Sequence, residues 1–412
     1  MKTKFIVTAA IAAVVGMGFT ACSNDDEMAQ GGQNSKALMG FDVKADISNV
    51  TRGYATTAAN ALSTITDFGA WAYDDTTDGL YMGASATAGR LVSNTGDAET
   101  PVWSYTPQQF WPVNALNFVA ITPYSDASIT SNSTASASNV VTLTSTVELD
   151  TDVEDQKDIM MAKADGITKT TSAGNVPFTF EHALSQIVFR GKFNSAGAVT
   201  KVTIAEISLC NINKDGTLVY TSEGTWYGGA NQPATSGTPA DFTLEASDLE
   251  GSVFDVADVV TPAVLYVAED DEVVAGTASV GDVKTPAVLR GTTPFDLTVS
   301  NNSTKKNAWM MIPQTTAAWE GTDGAGKAGI NATPASGAYL KVRAQLEKDG
   351  VVILGNAAAD ALYIPLSVNW DRSKKYIYTL EFNGANALSP ITFSVAAQDW
   401  TDADPQPGDI SY

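Results

Sequence analysis

The side chains that could do chemistry in this 412-residue chain are few and poorly grouped. There is one histidine, His182, in Phe180-Glu181-His182-Ala183-Leu184. A lone imidazole cannot build a multi-histidine zinc site, and it would have to serve alone in any serine–histidine–aspartate arrangement. No G-x-S-x-G run supplies a nucleophile elbow. His182 therefore reads as a packing or hydrogen-bonding residue. Gly321-Thr322-Asp323-Gly324-Ala325-Gly326-Lys327 imitates the opening of a phosphate-binding loop, but Ala328 stands where a magnesium-binding hydroxyl is needed and no helix pattern follows. Asn211-Ile212-Asn213-Lys214-Asp215-Gly216 imitates half a calcium loop, with Asn at its first position and Ser222 in place of Glu at its twelfth. A hairpin turn at Lys214-Asp215-Gly216 accounts for it better. The acidic run from Asp150 to Asp155 reads as a solvated loop, with incidental calcium binding as the second reading. No metal, cofactor or enzymatic role is expected; paired glycosidase carboxylates, whose spacing is three-dimensional, are the one catalytic pattern left open. Trp103, Tyr105, Phe110 and Trp111 stand close together, so a sugar-stacking platform is a second reading beside ordinary core packing.

The two cysteines have different settings. Cys210 lies in the β-like run 204–212, where a buried, inert thiol is expected. Cys22 ends an export signal: Lys2 and Lys4 form a positive start, and residues 5–19 are apolar or small and uncharged. That stretch is too short to span a bilayer comfortably and closes on small residues, as cleaved signals do. Phe19-Thr20-Ala21-Cys22 is similar to a bacterial lipobox, although Phe19 stands where Leu is usual. The expectation is cleavage before Cys22 and membrane attachment through acyl chains, each buried CH₂ adding about 0.8 kcal/mol. The acidic run Ser23-Asn24-Asp25-Asp26-Glu27 then opens a flexible tether that resembles a surface-export tag.

The formal net charge is −22, and removing residues 1–21 deletes two lysines and no acid, giving −24. Such a chain is repelled by nucleic acid and by anionic headgroups, so nucleic-acid binding is excluded. With Cys22 acylated, Cys210 has no partner, and stability must come from sheet burial.

The elements available are almost all strands. In residues 39–47, Met39, Phe41, Val43, Ala45 and Ile47 alternate with Gly40, Asp42, Lys44 and Asp46. Residues 339–347 alternate in the same way. Further strands are expected at 68–73, 116–121, 176–180, 187–193, 202–210, 295–300, 309–312, 376–382 and 391–398, separated by Gly, Asn, Asp, Ser and Pro. Short helical turns are expected only near residues 57–63 and 182–186. The fold class is therefore all-β, built from β-sandwiches. The organisation predicted is a signal at 1–21, a tether at 22–37, an N-terminal domain at 38–182 and a C-terminal domain at 183–412.

Several of these landmarks occur in a familiar order. The strand 41–47 is followed by Thr51-Arg52. Phe110-Trp111-Pro112 runs into Leu116-Asn117-Phe118-Val119-Ala120 and Pro123. Asp158-Ile159-Met160-Met161-Ala162 comes next, then Phe178-Thr179-Phe180-Glu181-His182-Ala183-Leu184-Ser185. Met311-Ile312-Pro313-Gln314 and Ala397-Gln398-Asp399-Trp400 complete the set. In this order, over residues 38–400, the chain resembles the fimbrillin family, the lipoprotein-derived type V pilins and their tip or anchor relatives. The resemblance implies two transthyretin-like (Greek-key) β-sandwiches and export to the outer membrane as a surface-exposed lipoprotein. It also implies assembly with other pilus subunits by donor-strand exchange. An arginine-specific cut after Arg52 would leave Gly53 as the new N-terminus and remove the strand carrying Phe41, Val43, Ala45 and Ile47. Either residues 391–398 are the donor, or the chain is a tip or anchor subunit that donates nothing. A surface or host glycan or protein is the expected adhesion ligand, and a glycan-binding outer-membrane lipoprotein is the alternative reading.

Overall fold

Period-two patterning becomes strand throughout. The computed structural model describes residues 37–45, 65–96, 100–136, 138–153, 155–193, 201–222, 239–245, 253–254, 260–261, 263–266, 295–298, 308–319, 329–330, 337–348, 351–354, 361–382 and 391–399. Among these there is no helix. Near residues 182–186, where a helical turn is expected, one strand ends at His182 and the next begins at Ser185. The apolar pair Ala183-Leu184 between them is fully buried, so the chain is held extended by packing on both sides. Residues 57–63 lie outside the described residues.

The largest sheet has eight strands. They are β1 (Gly40–Ala45), β2 (Asp67–Asp74), β3 (Leu80–Met82), β4 (Arg90–Asn94), β5 (Trp103–Ser104), β6 (Leu116–Thr122), β9 (Met160–Ile167) and β10 (Asn175–His182). The order is β1-β10-β9-β6-β2-β4-β5, with β3 on β2. β7 (Ile129–Ala135) and β8 (Val141–Glu148) lie in a separate three-stranded sheet with β13 (Asp215–Thr221). The central strands β2 and β6 read as continuous apolar runs because the sheet is covered on both faces. Phe68, Ala70, Phe118 and Ala120 face a cluster that gathers Phe41, Phe178 and Phe180. Trp71, Val119 and Ile121 face a second cluster that extends to Phe382.

The C-terminal half supplies two further large sheets. In one, β11 (Ser185–Phe193) runs parallel to Lys374–Phe382, whose other side pairs antiparallel with Ile391–Asp399. The other centres on β12 (Lys201–Asn213) paired with Tyr339–Lys348. Lys214 does join two strands, β12 and β13, but they do not form a hairpin. β12 pairs with Tyr339–Lys348 and Pro239–Glu245, whereas β13 crosses to β8. Gly216, Leu218 and Tyr220 are buried while Thr217, Val219 and Thr221 are half-buried; Leu218 and Tyr220 join the same core as Ile207, Leu209 and Ile212 of β12, although the two strands lie in different sheets.

Candidate functional site

The calcium-like run at Asn211 to Gly216 is strand on both sides of Lys214, so it offers no ion loop. The phosphate-loop mimic at residues 321–327 lies outside the described residues. His182 is buried and its Nδ1 sits 3.1 Å from Asp158, a structural ion pair or hydrogen bond of the kind expected. Cys210 is 1% exposed, and burial, reinforced by the nearby Asp241 carboxylate, pushes its thiol up to about 12.

The candidate arrangement is the seat of β1. The strand occupies one edge of the eight-stranded sheet and runs parallel to β10, with Gly40 opposite Asn175 and Ala45 opposite Phe180. Every other strand pair of this sheet is antiparallel, so β1 is an addition made against the grain of the sheet. Alternation sends Asp42 and Lys44 to solvent, while Met39, Phe41 and Val43 are buried. The Phe41 ring stacks on Phe178 at 5.6 Å and meets Phe68 at 5.3 Å and Tyr105 at 5.6 Å edge-on. These contacts join rings from β10, from β2 and from beyond β5, so Phe41 plugs the gap between the two edges of a curled sheet.

The other wall of the seat comes from the residues that suggested a sugar platform. Met39 N–H donates to the Gln109 carbonyl at 2.9 Å and Trp111 N–H donates to the Ala37 carbonyl at 3.0 Å. The Tyr105 hydroxyl donates to the Met39 carbonyl at 2.8 Å, and the Trp111 indole N–H donates to the Gly174 carbonyl at 3.0 Å. Tyr105 and Trp111 are buried and Trp103 packs against the same core, so their faces are spent inside. Trp103, Tyr105 and Trp111 close over the first strand whereas Phe110 is 44% exposed, so the four rings do not form one outward platform. Their dense aromatic spacing was the visible signal. It could not say whether the rings pack inward or face out.

A family model described as Fimbrillin-like matches residues 51–400. The chain belongs to the fimbrillin-like family. No curated protein matches the sequence. The fimbrillin-like chain shares its fold with a fimbrial protein from Bacteroides vulgatus, at 18% identity and a TM-score of 0.54, over 89% of this chain and 100% of that one. More distant likenesses include a candidate cell adhesion protein from Bacteroides uniformis, at 15% identity, covering 90% of this chain and 100% of that one with a TM-score of 0.39. The C-terminally truncated tip fimbrial protein Mfa3 from Porphyromonas gingivalis is 12% identical, with 85% and 97% covered and a TM-score of 0.28.

In this fimbrillin-like chain, the sequence-predicted site residues divide clearly. Phe41, Val43 and Ala45 lie in β1, the first two buried in its seat. Cys22, Ile47, Arg52 and Gly53 lie outside the described residues. The family match begins at residue 51, beyond β1 and immediately before Arg52.

Proposed function

We propose that this chain is a structural or adhesive subunit of a surface fibre, joined to its neighbours by replacement of β1. Family membership supports the coarse part, a fimbrial or adhesive protein at the cell surface rather than an enzyme. The finer part is carried by a repeat within the chain. Met39, Phe41, Val43 and Ala45 alternate along β1, and Ile391, Phe393, Val395 and Ala397 alternate at the same spacing along the last strand, Ile391–Asp399.

In its own chain the last strand is an edge strand, pairing those four positions with Phe382, Leu380, Tyr378 and Tyr376. Set over β1 of the next subunit, Phe393 falls on Phe41 and Val395 on Val43. Pro390 falls on Leu38, which bridges Phe110 in a short ladder bonded through Ala37 and Met39 instead. A proline there removes no ladder bond. The match fails at Ile47, where Asp399 would stand. Acceptor seat and donor strand in one chain favour a repeating subunit over one that donates nothing.

The proposed sequence of events is attachment to the outer membrane through lipidated Cys22, then a cut between Arg52 and Gly53 that frees β1. Loss of β1 exposes an apolar trough and the backbone edge of β10, a state that folded proteins avoid. Each side chain that refills it recovers about 1.5–3 kcal/mol, and each strand hydrogen bond roughly 0.5–1.5 kcal/mol more. Strand addition to a sheet edge is a known mode of recognition. Two transthyretin-like sandwiches meeting near residue 183 belong to the same proposal.

The test uses soluble protein cut to completion after Arg52 by an arginine-specific endoprotease. Wild type should form a ladder of oligomers, and Phe393→Asp should be cut equally and stay monomeric. Wild type that sheds β1 yet remains monomeric contradicts strand replacement.

A further inference from the structure

The three-stranded sheet β7-β8-β13 carries a regular outer face. Thr130, Asn132 and Thr134 of β7 stand opposite Thr146, Thr144 and Thr142 of β8. On the other side of β8, the same three threonines stand opposite Thr217, Val219 and Thr221 of β13. Their alternation partners, Ser131, Ser133, Leu143, Ser145, Leu218 and Tyr220, are buried, so the nine form one outward grid. Thr130, Asn132, Thr134 and Thr146 are exposed, and Thr142, Thr144, Thr217, Val219 and Thr221 are half-buried. Seven of the nine are threonine and none is charged, on a molecule with a formal net charge of −22.

The grid continues along β8 to Glu148, which pairs with Asp215. There it meets a cavity of about 460 Å³ whose lining includes Glu148, Asp126, Asp150, Lys157 and Lys214. Flat uncharged pavement and polar cavity are thus one surface.

We infer that this surface binds a neutral oligosaccharide, with the chain laid along the grid and one end in the cavity. Neighbouring strands are about 4.8 Å apart and same-face residues about 6.8 Å apart along a strand, so the grid spans on the order of 300 Å². A stable protein partner buries about 800 Å² on each side, so the grid suits a small ligand better. The acidic molecule repels polyanions, and the nine grid positions carry no charge to pair with a cationic chain, which favours an uncharged one. Each threonine hydroxyl can donate one hydrogen bond and accept two, as a sugar hydroxyl does, and β-branching holds it in place at little entropic cost. In the cavity, carboxylates accept from sugar hydroxyls and ammonium groups donate to their oxygens. None of the nine belongs to the seat of β1, so this inference stands or falls apart from strand replacement.

The experiment is calorimetric titration of the uncut chain with neutral hexasaccharides of glucose, mannose, galactose and xylose, with hexagalacturonate as the anionic control. At least one neutral chain should bind and the control should not. The triple variant Thr130→Val, Thr144→Val, Thr146→Val keeps shape and strand preference, and should bind about tenfold or more weakly. Glu148→Gln, at the cavity mouth, should weaken the same ligand. Failure of all four neutral probes, or binding of the anionic control alone, overturns the inference and leaves the threonines as strand-forming surface residues. Equal binding by wild type and the valine variant overturns the placement on this face.

Discussion

Phe41 sits among three rings drawn from separate parts of the chain, and no other residue of β1 makes ring contacts of this kind among the described residues. Truncating a buried phenylalanine removes both its transfer free energy and its packing. Phe41→Ala should therefore destabilise the uncut chain by about 3–5 kcal/mol, read from the urea midpoint. A loss below about 0.5 kcal/mol would mean that β1 is a loose appendage. Cys210 makes a second residue-scale prediction. Burial raises its thiol, so the reactive thiolate is scarce up to pH values near the shifted figure of about 12. Iodoacetamide at pH 8 should leave Cys210 unmodified in the folded chain and alkylate it fully in guanidinium, as read by peptide mass. Rapid native alkylation would contradict the burial.

At the scale of elements, the seat depends on how β1 is bracketed. Tyr105→Phe removes only the hydroxyl, which donates to the Met39 carbonyl and accepts from the Gln109 N–H, so it should cost about 0.5–1.5 kcal/mol for each bond. After cutting at Arg52 it should also speed release of the N-terminal peptide that ends at Arg52, followed by size exclusion; an unchanged release rate would remove Tyr105 from the seat. Strands with clean alternation were legible in the sequence, as β1 and Tyr339–Lys348 show. β7 and β8 were not, because Ile129–Ala135 and Val141–Glu148 set Thr and Asn against Ser, Leu and Val, and their buried serines blur the hydrophobic contrast. The edge position of β1, its parallel pairing and the aromatic bracket were not legible either. They depend on contacts such as Tyr105 to Met39, 66 residues apart, that no local pattern encodes.

At the scale of the whole molecule, this is an acidic chain with one histidine and a buried Cys210, and the proposed assembly rests on how strands would be shared. The Thr grid faces out from one sheet, the β1 seat opens at the edge of another, and the last strand lies at the edge of a third. Under the proposed assembly, a subunit so arranged would keep its ligand face separate from its joints. Replacing Arg52 with Ala should leave the fold unchanged and abolish both processing and assembly. The most direct test of the central claim is the N-terminus and intact mass of the protein taken from assembled surface fibres. The account predicts a chain that begins at Gly53 and carries no lipid. A fibre built of chains that still begin at acylated Cys22, with β1 in its seat, would contradict it.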